Sequence, residues 1–301
     1  MSDIRVAAIV GPTAVGKTEL SLVIAEQLDA EIVSTDSMQV YRGMDIGTAK
    51  PTAAERERTP HHLLNLFDPS EEVTVAAFQD LARAAIDDIH ARGRLPLLVG
   101  GSGLYFRAVV DDLKFPPRDP QLRAALEAEA DESGAETLHA RLSAVDPQGA
   151  SKIEPGNARR TIRALEVIEL TGRPFSDNDS WDRYESIYDL RVAGLTRNRA
   201  ELYARIEARV RQMISDGLIE EARSLQDPGR TARQALGYRQ ILDHPAMSEE
   251  DLVRDITHAT KRFARRQESW FRADPRVEWF EAGIPDLVER VRKYLAPVEV
   301  T

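Results

Sequence analysis

Lys17 and Thr18 close the octet Gly11-Pro-Thr-Ala-Val-Gly-Lys-Thr18, which follows directly on the apolar run Val6-Ala-Ala-Ile-Val10. The pattern G-x-x-x-x-G-K-[ST], after a strand and before a helix, is that of a phosphate-cradling loop. Its glycines let backbone N–H groups turn inward on an anion, Lys17 adds a point charge, and Thr18 offers a hydroxyl to Mg²⁺. Such a loop binds a diphosphate or a triphosphate. Asp36 stands two residues past the apolar end of a second strand, in Glu31-Ile-Val-Ser-Thr-Asp-Ser-Met-Gln39, and topology brings it near that loop. A carboxylate there serves as a Mg²⁺ ligand or a general base; the plainer alternatives are a helix N-cap and an exposed loop acid. The run Tyr41-Arg-Gly-Met-Asp-Ile-Gly-Thr-Ala-Lys50 has two glycines and no clean period, which fits a surface loop or a substrate-binding segment. The adjacent pair His61-His62 points two ways and has no third ligand in view, so these read as structural histidines.

The basic residues are unevenly spread. Arg159, Arg160, Arg163 and Arg173 crowd one helical stretch, and Arg197, Arg199, Arg205, Arg209 and Arg211 line another with its entry. Lys261, Arg262, Arg265, Arg266, Arg272 and Arg276 face only Glu268 and Asp274 as acids in their stretch. Charge runs usually coat solvated helix faces. Three of them around one crevice, on a chain whose acids gather elsewhere, also fit a groove that grips a polyanion locally. In the last long helix Leu252, Ile256, Phe263 and Trp270 repeat at i, i+4, i+11 and i+18, which predicts one core-facing stripe.

The elements that must position these groups alternate. Strand patterns at 6–10, 31–34 and 95–99 are interleaved with helical patterns at 17–28 and 74–91, which predicts βαβ units and a parallel sheet flanked by helices. The run 95–99 leads into Gly100-Gly-Ser-Gly103 and a further helix. Ligands in open α/β sheets collect at the carboxyl ends of strands, so 11–18, 34–39 and 100–103 should converge on one crevice. At Phe115-Pro-Pro-Arg-Asp-Pro120 three prolines in six residues mark a boundary. Helices follow at 121–131, 135–145 and 158–170, the last stopped by Thr171-Gly-Arg-Pro174, and then a polar run, Ser176-Asp-Asn-Asp-Ser180. A returning strand at 188–195 and helices at 199–216, 218–225 and 251–272 complete the chain. The fold class expected is α/β: a P-loop core at 1–116 and 184–301, with a helical insertion at 117–183.

Composition narrows the choices. The chain has 301 residues, 42% hydrophobic and 30% charged, which suits one large or two ordinary globular domains. No apolar run approaches the ~20 residues of a membrane span, and the segment before the first strand is too short for a signal peptide. The absence of cysteine excludes disulfides, thiolate metal sites and cysteine nucleophiles, and it fits a reducing cytoplasm. A net charge of -10 argues against nucleic acid as a partner of the whole surface, though not of a local cluster.

Several longer strings carry a resemblance. Gly11-Pro-Thr-Ala-x-Gly-Lys-Thr18, Asp36-Ser-Met-Gln39 with Tyr41 to Pro51, Leu97-Leu-Val-Gly-Gly-x-Gly-Leu-Tyr105, Arg163-Ala-Leu-Glu-Val167, Gln234-Ala-Leu-Gly-Tyr238 and Arg265-Arg-Gln267 with Trp270 resemble, in order, the tRNA dimethylallyltransferase family. The resemblance implies transfer of a dimethylallyl group from dimethylallyl diphosphate to N6 of adenine 37 in tRNAs reading codons that begin with U, with Mg²⁺ as cofactor. It implies that Gly11, Pro12, Thr13, Ala14, Val15, Gly16, Lys17, Thr18 and Arg209 bind the diphosphate, with Mg²⁺ on Thr18. Asp36 would be the base, and Lys17, Arg209 and Ser102 would share the catalytic work. Asp36, Ser37, Met38, Gln39, Ser102, Arg123, Arg159, Arg160, Thr161, Ile162, Arg163, Arg233, Gln234, Ala235, Leu236, Gly237 and Tyr238 would contact tRNA, and the family suggests a monomer. Two positions depart from the usual pattern: Val15 stands where many members have serine, and Ser102 where threonine is common.

The chemistry so implied accounts for an oddity. In nucleotide hydrolases of this architecture a strand ends in an Asp that steadies Mg²⁺, whereas here 95–99 runs into Gly100-Gly101. A prenyl transfer leaves the bonds within the diphosphate intact, and the loop has only to stabilise charge on the departing oxygen. The adenine must leave its stack to reach the donor carbon, so base flipping is expected. A P-loop small-molecule kinase, with Thr18 and Asp36 holding Mg²⁺, is the alternative on the loop alone.

Overall fold

The computed structural model describes residues 3–177 and 183–296. Two compact units divide the chain: Met1–Asp111 with Tyr184–Thr301, and Asp112–Arg183. The first segment of the larger unit ends at Asp111 rather than at residue 116.

In the larger unit, β1 (Arg5–Val10) feeds α1 (Lys17–Leu28), β2 (Ala30–Ser34), α2 (Ala53–Arg58), the two-residue β3 (His61–His62), α3 (Val75–Ala91), β4 (Leu95–Gly100) and α4 (Gly103–Val110). The smaller unit holds α5 (Pro120–Ser133), α6 (Ala135–Val145), α7 (Pro147–Ser151) and α8 (Ala158–Thr171). The chain then re-enters the larger unit with β5 (Asp189–Thr196), α9 (Arg199–Ser215), α10 (Leu218–Ser224), α11 (Arg230–Arg233), α12 (Tyr238–Asp243), α13 (Glu249–Arg272), β6 (Val277–Glu281) and α14 (Leu287–Leu295). Of the polar run 176–180, Ser176 and Asp177 fall in a short 3-10 turn, and the rest lies outside the described residues.

The six strands form one parallel sheet in the order β3-β2-β4-β1-β5-β6. A parallel sheet is covered on both faces, and the central strand obeys that rule: Val6 to Val10 are completely buried. Register sets the site. Val10 pairs with Gly100 on β4 and Gly194 on β5, and Ser34 of β2 pairs with Val99. The exits of β1, β2 and β4 therefore lie side by side, and the Thr35 N–H donates to Val99 O at 2.9 Å. Strand order reverses across β4 and β1, which is where an open α/β sheet has its ligand crevice.

Local chemistry fixes the helix starts. Thr74, Asn198 and Ser248 accept first-turn N–H groups of α3, α9 and α13, and Asp119 with Pro120 begins α5. The smaller unit packs Leu126, Leu138, Leu142, Ile153, Ile162 and Leu165 into its own core. Buried Glu166 binds Arg123, Arg163 and the Asp119 N–H there.

Candidate active site

The phosphate loop takes its shape from backbone that only small residues tolerate. Gly11 and Gly16 sit at φ +141° and +117°, and Ala14 at +63°. Gly16 precedes α1 with no side-chain cap, so the first-turn N–H groups of that helix stay available to an anion. The Lys17 ammonium folds back on the Gly11 and Pro12 carbonyls at 2.9 and 2.8 Å. From α9, Arg205 donates to Ala14 O at 2.9 Å, and Arg209 reaches the Thr13 hydroxyl at 3.5 Å.

Asp36 faces this loop across a cavity of about 530 Å³. Thr13, Lys17, Thr18, Asp36, Ser102 and Arg209 all line it, so the three strand exits do converge. No helix begins at Asp36, and it is half-buried in the wall, so neither an N-cap nor an exposed loop acid describes it. Its Oδ1 accepts the Met38 N–H at 2.9 Å. The charges are mutually tuned. Burial pushes Lys17 down to about 7; Arg209 adds to the fall and Asp36 opposes it. Burial raises the Asp36 carboxyl above its ordinary range, while the Met38 N–H, Lys17 and Arg209 hold it back. Arg209 is lowered by burial and supported by Asp36. The arrangement sets cations for an anion at one side of the cavity and a basic carboxylate at the other.

Among the described residues no group of three or more His, Cys, Asp or Glu could hold a metal by itself. His61 and His62 are engaged with Thr59 O and Glu31, as structural histidines are. Thr18 lines the cavity beside Lys17, and its hard oxygen fits Mg²⁺, which takes few protein ligands when phosphate oxygens supply the rest.

A family model described as IPP transferase matches residues 39–274. The chain belongs to the IPP transferase family. The tRNA dimethylallyltransferase of Streptomyces coelicolor is 50% identical over 301 residues, covering 98% of this chain and 96% of its own length. That of Geobacillus thermodenitrificans is 47% identical over 303 residues, 97% of this chain and 96% of its own. Among solved structures, the full-length tRNA isopentenylpyrophosphate transferase of Bacillus halodurans superposes with a TM-score of 0.71 at 43% identity, covering 97% of this chain and 96% of that one. A eukaryotic dimethylallyltransferase acting on tRNA gives 0.80 at 27% identity, covering 93% and 74%. Membership in this family of prenyltransferases decides against the kinase alternative.

The residues that the resemblance assigns to tRNA divide by exposure. Gln39 is committed inside the protein: its Oε1 accepts Ser34 Oγ at 2.8 Å, and its Nε2 donates to Thr48 O and Ala49 O. Tyr238 is fully buried with its hydroxyl on Glu221, and Ala235 is buried beside it. Thr161 and Ile162 turn into the core of the smaller unit, and Arg163 is spent on Pro116 O, Pro117 O and Glu166. Arg123 pairs with Glu166, and Arg233 with Asp243. These polar side chains have partners within their own unit, Arg233 in an exposed ion pair. Arg159 and Arg160 are exposed at the start of α8 and have no ion pair among the described residues, and Ser37, Met38, Gln234, Leu236 and Gly237 line the cavity.

The basic clusters divide in the same way. Arg197, Arg211, Arg272 and Arg276 are paired with Glu201, Glu250, Glu268 and Asp111. Exposed Arg239, Arg262 and Arg266 line the cavity mouth and carry no ion pair among the described residues. The apolar stripe predicted for α13 fails at its end. Leu252 and Ile256 are buried, but Phe263 is only partly so, and Trp270 is 42% exposed. Its ring lies against Gly103, where a Cβ would stand 1.9 Å from Cδ1. The face that α13 buries near its C-terminus is instead Ala264, Gln267 and Phe271.

Sequence reasoning gave no role to three residues that build the site. Glu221 accepts the Asp45, Ile46 and Gly47 N–H groups, so 41–50 is no loose surface loop: Tyr41, Met44 and Lys50 are buried within it. Lys50 donates to Tyr41 O, Asp45 and Asn65. Gln267, noted only as part of a family string, sits between two loops of the site.

Proposed function

We propose that the chain transfers a dimethylallyl group from its diphosphate to N6 of adenine 37 of tRNA, in tRNAs reading codons that begin with U, as a cytoplasmic monomer. The observation that carries this reading is the placement of one basic carboxylate, Asp36, across a single cavity from Lys17, Arg209 and the open amides of the phosphate loop.

The loop and Arg209 bind the diphosphate and orient the allylic carbon toward Asp36. The N6 lone pair, weakened as a nucleophile by delocalisation into the purine, attacks that carbon as its bond to oxygen breaks. The bonding pair leaves with the diphosphate, where Lys17, Arg209 and the loop amides receive the charge. Asp36 takes the N6 proton, and its raised affinity for protons suits that task. Mg²⁺, held by Thr18 and the phosphate oxygens, would supply further neutralisation of the leaving group. Ser102, at the start of α4, would place the flipped adenine, and Arg159 and Arg160 of the insertion would grip the anticodon stem.

Incubation with dimethylallyl diphosphate, Mg²⁺ and unmodified tRNA, followed by mass analysis of nucleosides, should give a five-carbon gain on one adenosine next to the anticodon. Unaltered RNA, or a product that requires ATP, would refute the reading.

A further inference from the structure

We propose that Gln267 is a positioning residue whose amide fixes the spacing between the phosphate loop and the Gly-rich loop after β4. The inference rests on the reading above in naming one loop the donor side and the other the acceptor side.

Gln267 is only 6% exposed, on the face of α13 turned to the sheet edge. Its Oε1 accepts the Thr13 N–H at 2.9 Å, and its Nε2 donates to Gly101 O at 2.9 Å. Both partners neighbour reacting groups. With its N–H held from behind, Thr13 presents its hydroxyl to Arg209 at 3.5 Å. Gly101 precedes Ser102, which lines the cavity. The approach demands glycine at 101, since a Cβ there would stand 2.2 Å from Nε2. A carboxamide suits this post because one end accepts and the other donates. The isosteric carboxylate can serve Thr13 but must repel the Gly101 carbonyl, and an aliphatic side chain serves neither. A buried polar side chain in a long, highly charged helix has its reason in this bridge. A misplacement of ~1 Å between reacting groups can cost about 10²-fold in rate, so a tie across the two loops acts on the chemical step more than on binding.

The test uses the full-length enzyme as Gln267→Glu, Gln267→Ala and, from the other side of the bridge, Gly101→Ala. In steady state, Gln267→Glu should keep KM for dimethylallyl diphosphate within about twofold while kcat falls about 10–100-fold. Gln267→Ala and Gly101→Ala should lose kcat similarly. Hydrogen exchange without substrate reads the tie directly: protection at 11–16 and at 100–103 should fall together in Gln267→Ala. Variants that fold, keep kcat and keep that protection would overturn the proposal, as would loss of melting temperature alone. A wild-type enzyme that prenylates nothing would sink the function proposed above, and exchange would still decide whether Gln267 couples the loops.

Discussion

The Tyr238 hydroxyl donates to Glu221 at 2.5 Å, while the same carboxylate holds three consecutive backbone N–H groups at Asp45, Ile46 and Gly47. Gly47 must lack a side chain, because a Cβ would stand 2.3 Å from the Tyr238 ring. The wall at 45–49 then passes to Gln39 through the Thr48 and Ala49 carbonyls, and through Ser34 to Asp36. A charge on α10 thus supports the geometry of the proposed base. Tyr238→Phe removes one of four donors and should cost about 1 kcal/mol of stability, whereas Glu221→Ala takes the acceptor from three amides at once, two of them part-buried, and should cost about 2–3 kcal/mol. Denaturant midpoints check both, and equal losses would refute the ranking.

Asp36→Asn keeps the shape of the side chain and removes the proton acceptor. Single-turnover transfer should slow by about 10²–10⁴, with dimethylallyl diphosphate affinity retained. The wild-type rate should decline on the acid side as Asp36 protonates, at a pH above the ordinary carboxylate range because burial raises this group. That acid limb should vanish in the variant. A variant that transfers at wild-type rate would remove Asp36 from the chemistry.

Lys17 gives the opposite pH dependence. Burial and Arg209 bring its ammonium down to about 7 in the free enzyme, and a bound diphosphate favours the charged form. Donor affinity should be level below about pH 7 and should fall by up to about tenfold per pH unit above it, with one proton taken up per donor bound. Calorimetry in buffers of different ionisation heat measures that uptake; none at mildly alkaline pH would contradict the assignment. For folding the sign reverses. A lysine lowered from 10.5 costs stability below about 7, and the cost fades as pH rises toward 10.5. Lys17→Met should accordingly raise the melting temperature of the ligand-free enzyme more at acid than at alkaline pH.

Arg160 and Arg163 lie three residues apart on α8 and should behave differently. Arg160 is exposed and has no ion pair among the described residues, so Arg160→Ala should weaken tRNA binding and reduce the salt slope of log K by about 1, leaving donor affinity alone. Arg163 is held by Pro116 O, Pro117 O and buried Glu166, so Arg163→Ala should chiefly destabilise the insertion. Filter binding across salt concentrations separates the two. An unchanged slope for Arg160→Ala would deny it a phosphate contact.

The parallel sheet was legible because β1, β2, β4 and β5 are apolar runs, each joined to a phosphate-loop, helix or turn signal. β3 and β6 escaped: one is two residues long, and the other, Val-Glu-Trp-Phe-Glu, alternates too briefly at a sheet edge. Lys17 and Asp36 could be named beforehand because motif and topology converge on them, and Arg209 because the family resemblance singled it out of a basic helix. Glu221, Lys50 and Gln267 could not, since each acts through backbone partners far away in sequence, and periodicity carries no trace of such bonds. The internal partners of Gln39 and Tyr238 were hidden for the same reason: a family string names a polar group without naming what it bonds. Trp270 misled because a stripe defined by large apolar residues ignores a buried amide one turn away.

Gln39 spends both of its N–H donors on carbonyls of its own chain. An amide so occupied has no hydrogen left to offer a nucleobase edge, so what position 39 gives this wall is the placement of 48–49 rather than a donor of its own. A substitution at this position would therefore be felt first as a shift of that loop, and only through the loop by whatever enters the cavity.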